Sequence, residues 1–300
     1  MIGSEVLRDL CVLYGKENVC GVDVRSTPPE SILEYSADVL KADVSSTEIC
    51  DLLDQFMPDI VVHAAAHPGG KSLNQASLDV EVNALGSMRI FEWCAEHQRK
   101  VLFLSSSIVY GEQPAVPIHE SSVMSPGTIY GVAKTACEQW LRILGEGRGL
   151  DWVVLRLFST YGRGHAPSLD QGIVNVMLTQ LHQGNHVAVK GRLDRVRDLV
   201  HVSDVVRAIQ RTIEVWPTRL TLNVCTGRPT TIEGLIDKLI AVMARSRHEV
   251  QIVELPATPG DPLYNVGDPS AMAEILGLKA SVTVFDGLVS LLSGTPTNQI

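Results

Sequence analysis

The chain has 300 residues, 45% of them hydrophobic and 20% charged, enough to bury a substantial core without disulfide or metal staples. Lys plus Arg number 25 against 34 Asp plus Glu, and a formal net charge of −9 leaves no cationic excess to neutralise a nucleic-acid backbone. No apolar run reaches the roughly 18 residues that would span a bilayer, so neither nucleic acid nor membrane is expected as a partner.

Ile2, Val6, Leu10 and Leu13 recur at helical spacing, so the first dozen residues read as an amphipathic helix with no strand before it. Four short apolar runs then read as strands: Asn18 to Val24, Asp59 to Ala64, Val101 to Ser105 and Trp152 to Phe158. Helical patterns fall between them at about Ser46 to Phe56, Asn74 to Glu96 and Tyr130 to Leu144. Strands that are apolar throughout and alternate with helices predict a parallel sheet covered on both faces. Residues 1–160 are therefore expected to form a doubly wound α/β domain.

After Tyr161 the rhythm changes to a Gly- and Pro-rich loop, and residues 161–300 read mainly as a smaller lobe. The pattern predicts a helix at about Ile173 to Gln183, a strand at His186 to Val189, and a strand and helix over Asp198 to Ile213. A strand at Leu220 to Val224 and a helix opening at Thr231 follow, with residues 198–225 returning to the first sheet. The tail from Gly294 is expected to be frayed. The first five residues carry no basic or apolar leader pattern, and the six cysteines are scattered without a CxxC pair. A reduced, cytoplasmic protein without a metal centre is the expectation.

Two clusters carry chemistry. Tyr130 and Lys134 stand four residues apart on one helical face, and a nearby cation favours a phenolate, which makes the tyrosine a candidate acid/base. Ser105-Ser106-Ser107 follows an apolar strand directly, at the strand end where ligands of open parallel sheets collect. His63 and His67 flank another strand end without a third metal ligand, and His63 reads as a hydrogen-bonded structural histidine. Ala65 to Ser72 ends in Gly-Lys-Ser, but Ala65 and Pro68 spoil it as a phosphate loop.

In chain order, the stretches Gly21-Val22-Asp23, Ala42-Asp43-Val44, His63-Ala64-Ala65-Ala66 and Asn83-Ala84-Leu85-Gly86 precede the serine cluster and Tyr130 to Lys134. Leu155 to Phe158, Arg197 to Asp204 and Asn223 to Gly227 follow. This ordered set resembles the extended short-chain dehydrogenase/reductase family, and within it the NAD-dependent nucleotide-sugar epimerases and dehydratases. The resemblance implies a Rossmann-like sheet with a C-terminal substrate lobe, NAD as cofactor, a nucleotide-sugar substrate and a homodimer built from the helices at 74–96 and 130–144. It implies that Tyr130 is the catalytic base, that Lys134 binds the nicotinamide ribose and lowers the tyrosine pKa, and that Ser106 shares the substrate hydroxyl. Gly3, Asp23, Asp43, Val44, Ala64, Ala65 and Asn83 would hold the cofactor. Ser107, Ser159 and Arg197 would meet the substrate, Arg197 at its diphosphate. An ordinary ion pair of Arg197 with Asp194 or Asp198 is the competing reading.

Three departures shape the functional expectation. Dehydratases of the family place Asp-Glu where this chain has Ser107-Ile108, and isoleucine can neither give nor take a proton. A 4-epimerase acting on a UDP-sugar is therefore expected ahead of a dehydratase or reductase. Ser159 stands where the family commonly has Asn. Of the family's opening strand and Gly-x-x-Gly-x-x-Gly turn only Gly3 is matched, so roughly 10 residues of a strand-plus-turn unit are lacking. The alternative expectation is a noncatalytic member that binds a sugar nucleotide or a partner without holding NAD tightly; a longer natural chain is the third.

Overall fold

The computed structural model describes residues 1–25, 39–164, 169 and 171–293. The expectation for the tail from Gly294 lies outside them. The fold follows the alternating pattern: α1 (Ile2–Tyr14), β1 (Gly21–Asp23), β2 (Val39–Lys41), α2 (Glu48–Phe56) and β3 (Ile60–His63). A helical segment of Ala76–Leu78, a π-helical Asp79–Gly86 and α3 (Ser87–Glu96) come next, then β4 (Lys100–Ser106), α4 (Ile129–Arg148) and β5 (Asp151–Leu157).

In the second half, β6 (Ser159–Tyr161), α5 (Ile173–Gln183), β7 (His186–Lys190) and β8 (Val196–His201) precede α6 (Val202–Val215) and β9 (Leu220–Val224). The chain continues through β10 (Pro229–Thr231), α7 (Ile232–Val242), β11 (Gln251–Leu255), β12 (Tyr264–Asn265), α8 (Ser270–Leu276) and α9 (Val284–Ser293). Thr231 caps α7 by accepting from the Gly234 N–H at 3.0 Å, and a glycine there offers no side chain to complete the reciprocal bond.

The main sheet runs β3-β4-β5-β9, all parallel. Its central strands read Val101-Leu102-Phe103-Leu104 and Val153-Val154-Leu155, and all seven residues are buried because helices cover both faces. This is an α/β, Rossmann-like fold. A second sheet of order β10-β8-β12, with β6 also on β8, and the pair β7-β11 form the smaller lobe. The return to the main sheet begins later than the sequence suggested: residues 198–201 belong to β8 in the second sheet, and only α6 and β9 cross back. Helix α6 packs beside α1, with Val205, Val206 and Ile209 in the same core as Val6 and Leu10.

Among the described residues, β1 and β2 pair only with each other. Among the described residues no strand lies between β1 and β3. The consequence is visible in burial: Ile60, Val61 and Val62 of β3 are apolar yet only half-buried, while Val101 and Leu102, opposite Val61 and Val62 in β4, are closed over. An open edge of this kind presents unpaired N–H and C=O groups along an apolar strand. Helix α1 leans into the space, so that a Leu7 methyl lies 2.7 Å from where a Cβ on Gly21 would stand. Among the described residues, no helix is long and apolar enough to cross a membrane.

Candidate active site

The carboxyl ends of β3, β4 and β5 open onto one cleft that runs from between the two lobes into the open space beside β3, where Val6, Leu53, Phe56 and Ile60 also line it, about 2080 Å³ in all. Helix α4 enters it amino end first. Thr128 fixes that end by accepting from the Gly131 N–H at 3.0 Å, and Gly149, in the left-handed region at φ 76°, closes the other. Gly131 sits against the strand-end turn: a Cβ there would meet Ile108 Cγ2 and the Ile108 carbonyl oxygen, each at 3.1 Å, so glycine lets α4 press onto the serine cluster.

Tyr130, Lys134, Ser106, Ser107 and Ile108 all line the cleft. Desolvation pushes the Tyr130 phenol above its ordinary range, and the nearby Asp79 carboxylate adds to the shift. Burial brings Lys134 down to about 8. Its Nζ donates to the Leu104 carbonyl at 2.9 Å and lies 5.8 Å from the Tyr130 ring centre. The pair is thus assembled on one face as the spacing required, with the ammonium anchored to the end of β4. Ser106 Oγ accepts from the Ile108 N–H at 3.4 Å.

A buried network that the sequence reading did not anticipate sets the position of α4. Glu138, one turn beyond Lys134, accepts from Arg156 Nε at 3.1 and 3.0 Å and from Nη2 at 2.6 Å. Ser105 Oγ donates to the same carboxylate, and Arg156 also reaches the Tyr110 hydroxyl at 2.8 Å. The signal was available, since Tyr130, Lys134 and Glu138 follow at intervals of four on one helical stripe.

Around the other end of the cleft, Gly3, Ala64, Ala65, Asp23, Asp43 and Val44 are all lining residues. The Asp23 carboxylate holds Arg25 at 2.8 and 2.9 Å, and those bonds keep it below the usual carboxylate range. Asp43 accepts from the Ser45 N–H and hydroxyl. Asn83 departs from expectation. It does not line the cleft; its carboxamide accepts from the His67 N–H at 2.7 Å and donates to the His67 carbonyl and to Asp79. Its polar atoms are engaged in holding the loop after β3, so it supports the wall of the site without facing it.

His63 is structural. Its Nε2 meets Ser87 Oγ at 2.8 Å among Phe91 and Phe103, and burial brings its pKa to about 3. His63 and His67 both line the cleft, and His67 has Asp79 at 3.3 Å and Gln75 at 3.1 Å on its two ring nitrogens.

On the lobe side, Ser159 and Arg197 also line the cleft. The competing ion pairs for Arg197 do not form: Asp194 binds Arg192, and Asp198 is taken by Thr226 and the Gly227 N–H. Arg197 is buried and pairs with Asp261 at 2.8 Å, and Arg195 contacts the same carboxylate. Asn265, opposite Arg197 across the strand pair, also lines the cleft and was not singled out from the sequence.

A doubly wound sheet with a tyrosine–lysine pair and a serine turn at its carboxyl edge, faced by buried arginines from a second lobe, defines an α/β enzyme of the short-chain dehydrogenase type. The family model described as the NAD dependent epimerase/dehydratase family matches residues 1–225, and the chain belongs to that family. It is 29% identical over 255 residues to a UDP-glucose 4-epimerase of Mycolicibacterium smegmatis, covering 84% of this chain and 80% of that protein. The crystal structure of a Thermotoga maritima UDP-glucose 4-epimerase with UDP-glucose is similar at a TM-score of 0.89 and 27% identity, over 98% of this chain and 94% of that one. A Thermus thermophilus UDP-glucose 4-epimerase in complex with NAD is similar at a TM-score of 0.88 and 25% identity, over 98% of this chain and 95% of that one.

The residues present fit a dinucleotide at both of its ends. Carboxylates at Asp23 and Asp43 suit ribose and adenine donors, and Lys134 with Tyr130 suits the nicotinamide side. At the centre, α1 offers an uncapped amino terminus beside Gly3, where a Cβ would stand 3.8 Å from Ala64 Cβ. The strand position between β1 and β3 is the part of the cradle that the described residues do not fill.

Proposed function

We propose that this protein is an NAD-dependent nucleotide-sugar 4-epimerase acting on a UDP-sugar. The observation that carries the choice within the family is Ile108. It lines the cleft in the turn after Ser107, where loss of water from the sugar would need a proton donor and acceptor, and its side chain is hydrocarbon. The remaining groups supply what inversion at C4 requires and no more.

NAD, when bound, supplies the hydride chemistry. Tyr130 removes the proton of the C4 hydroxyl as that carbon is oxidised to a ketone, and returns it after the sugar has turned and been reduced on its other face. Ser106 and Ser107 hold the C4 oxygen. Lys134 places a positive charge beside the phenol, which opposes the desolvation that raises its pKa. Arg197 holds the diphosphate while the sugar rotates, Ser159 meets the substrate nearby, and Gly3, Asp23, Asp43, Val44, Ala64, Ala65 and Lys134 hold the cofactor.

The same reading includes a cytoplasmic homodimer packed through α4 and the segment 74–96. Its support is a group of exposed apolar side chains on those two mutually packed elements: Val80, Leu85, Val132 and Ile143.

A second reading, a noncatalytic member that binds a sugar nucleotide, draws on the unfilled position between β1 and β3. Incubation with NAD and UDP-glucose or UDP-N-acetylglucosamine, followed by NMR, separates the two. The C4 epimer supports the enzyme; UDP binding without turnover supports the alternative.

A further inference from the structure

Asn265 is 1% exposed, yet neither its Oδ1 nor its Nδ2 has a hydrogen-bond partner among the described residues. Buried carboxamides are ordinarily satisfied, so a fold that leaves both ends of one open has not used the group for its own stability. Its place is defined by backbone pairing: β12 lies parallel to β8 with Asn265 directly opposite Arg197. Residues opposite one another in a ladder leave the sheet on the same face, and both line the cleft.

The charge around it points the same way. Arg195 and Arg197 are both buried and share one carboxylate, Asp261. Two guanidinium groups on one anion leave a positive charge to be balanced. Glu112, the next acid to act on Arg197, already accepts from the Leu263 N–H at 2.9 Å. The site therefore offers an unbalanced cation beside an amide with a free donor and a free acceptor. An inorganic anion would satisfy the first alone; a nucleoside diphosphate, whose hydroxyls and amide edges both give and accept hydrogen bonds, satisfies both.

We propose that Asn265 is a ligand-contacting residue of the nucleotide subsite, hydrogen-bonding the nucleoside diphosphate next to the phosphates held by Arg197. This rests on the nucleotide-sugar reading and adds to it a binding residue from the C-terminal lobe. Leucine keeps the branched shape of asparagine and has no polar atoms to leave unpaired, so the change should remove the ligand contact and relieve the buried mismatch together, its bulkier methyls extending into the cleft.

The test is titration calorimetry of UDP into the full chain, with thermal melts of the same samples, for the wild type, Asn265→Leu and Asn265→Ala. The expected result is a UDP Kd raised roughly tenfold or more in both variants, the loss of a hydrogen-bonded ligand contact, with Asn265→Leu melting at or above the wild type. Asn265→Ala, which removes volume as well, keeps the binding result readable if leucine does not pack. A UDP Kd within threefold of wild type in either variant overturns the proposal. So does a melting temperature lowered in Asn265→Leu with unchanged affinity, which would assign the amide to an internal structural water. A wild type that binds no UDP overturns the nucleotide-sugar reading itself, and this proposal with it.

Discussion

The Arg156 guanidinium closes on both carboxylate oxygens of Glu138, with Nη2 2.6 Å from Oε2, and both side chains are 5% exposed. The pair ties α4, which carries Tyr130 and Lys134, to β5. Ser105 at the end of β4 bonds the same carboxylate, so the helix and both central strands meet at one group. Removing one partner leaves the other charge buried and unpaired, a cost of about 3–5 kcal/mol. Glu138→Ala is therefore expected to lower the denaturant midpoint strongly, and Glu138→Leu combined with Arg156→Met to recover most of the loss. Denaturant unfolding of the single and double variants measures this; additive losses would contradict it.

His63 gives stability a defined acid limb. Its folded pKa is about 3 against an ordinary 6.5, because burial and the neighbouring Lys134 disfavour the charged ring. Below pH 6.5 the unfolded chain takes up a proton that the folded chain refuses until about pH 3. Stability from this group is thus present above the unfolded pKa and falls as the pH drops, by about 1.4 kcal/mol per unit within that window. His63→Asn should flatten this limb in melts taken between about pH 7 and pH 4, at the expense of stability at neutral pH.

Asp23 and the unfilled position beside β1 set the expectation for the cofactor. Calorimetry of NAD into the chain should give a submillimolar Kd, weakened about tenfold by Asp23→Asn, the scale of a lost bond from a charged group. A wild-type Kd above millimolar favours the noncatalytic reading.

For the homodimer, Leu85→Glu with Val132→Glu places charges on two exposed apolar positions. Sedimentation should show a dimer for the wild type and a monomer for the double variant. A wild type that sediments as a monomer contradicts the proposed assembly.

The alternating strands and helices were legible because the continuous apolar runs of β4 and β5 mark strands covered on both faces, and α4 announced itself through the four-residue interval between Tyr130 and Lys134. Residues 198–201 misled because an apolar strand buried in a small second sheet has the same pattern as one returning to the main sheet. Asn83 misled for a different reason: only the fold shows that its carboxamide closes on the His67 loop. Asp261 lies 64 positions from Arg197, and that long-range pairing, which sequence spacing could not reveal, excluded the local partners. Asn265 carries no local signature, since its interest lies in the hydrogen bonds it does not make.

The central claim is inversion at C4 with Tyr130 as the base. NMR of UDP-glucose or UDP-N-acetylglucosamine incubated with the protein and NAD tests it most directly. The account predicts accumulation of the C4 epimer without loss of water, and a rate reduced about 10²- to 10⁴-fold by Tyr130→Phe with UDP affinity retained. A 4-keto-6-deoxy product, or turnover undiminished in Tyr130→Phe, would contradict it.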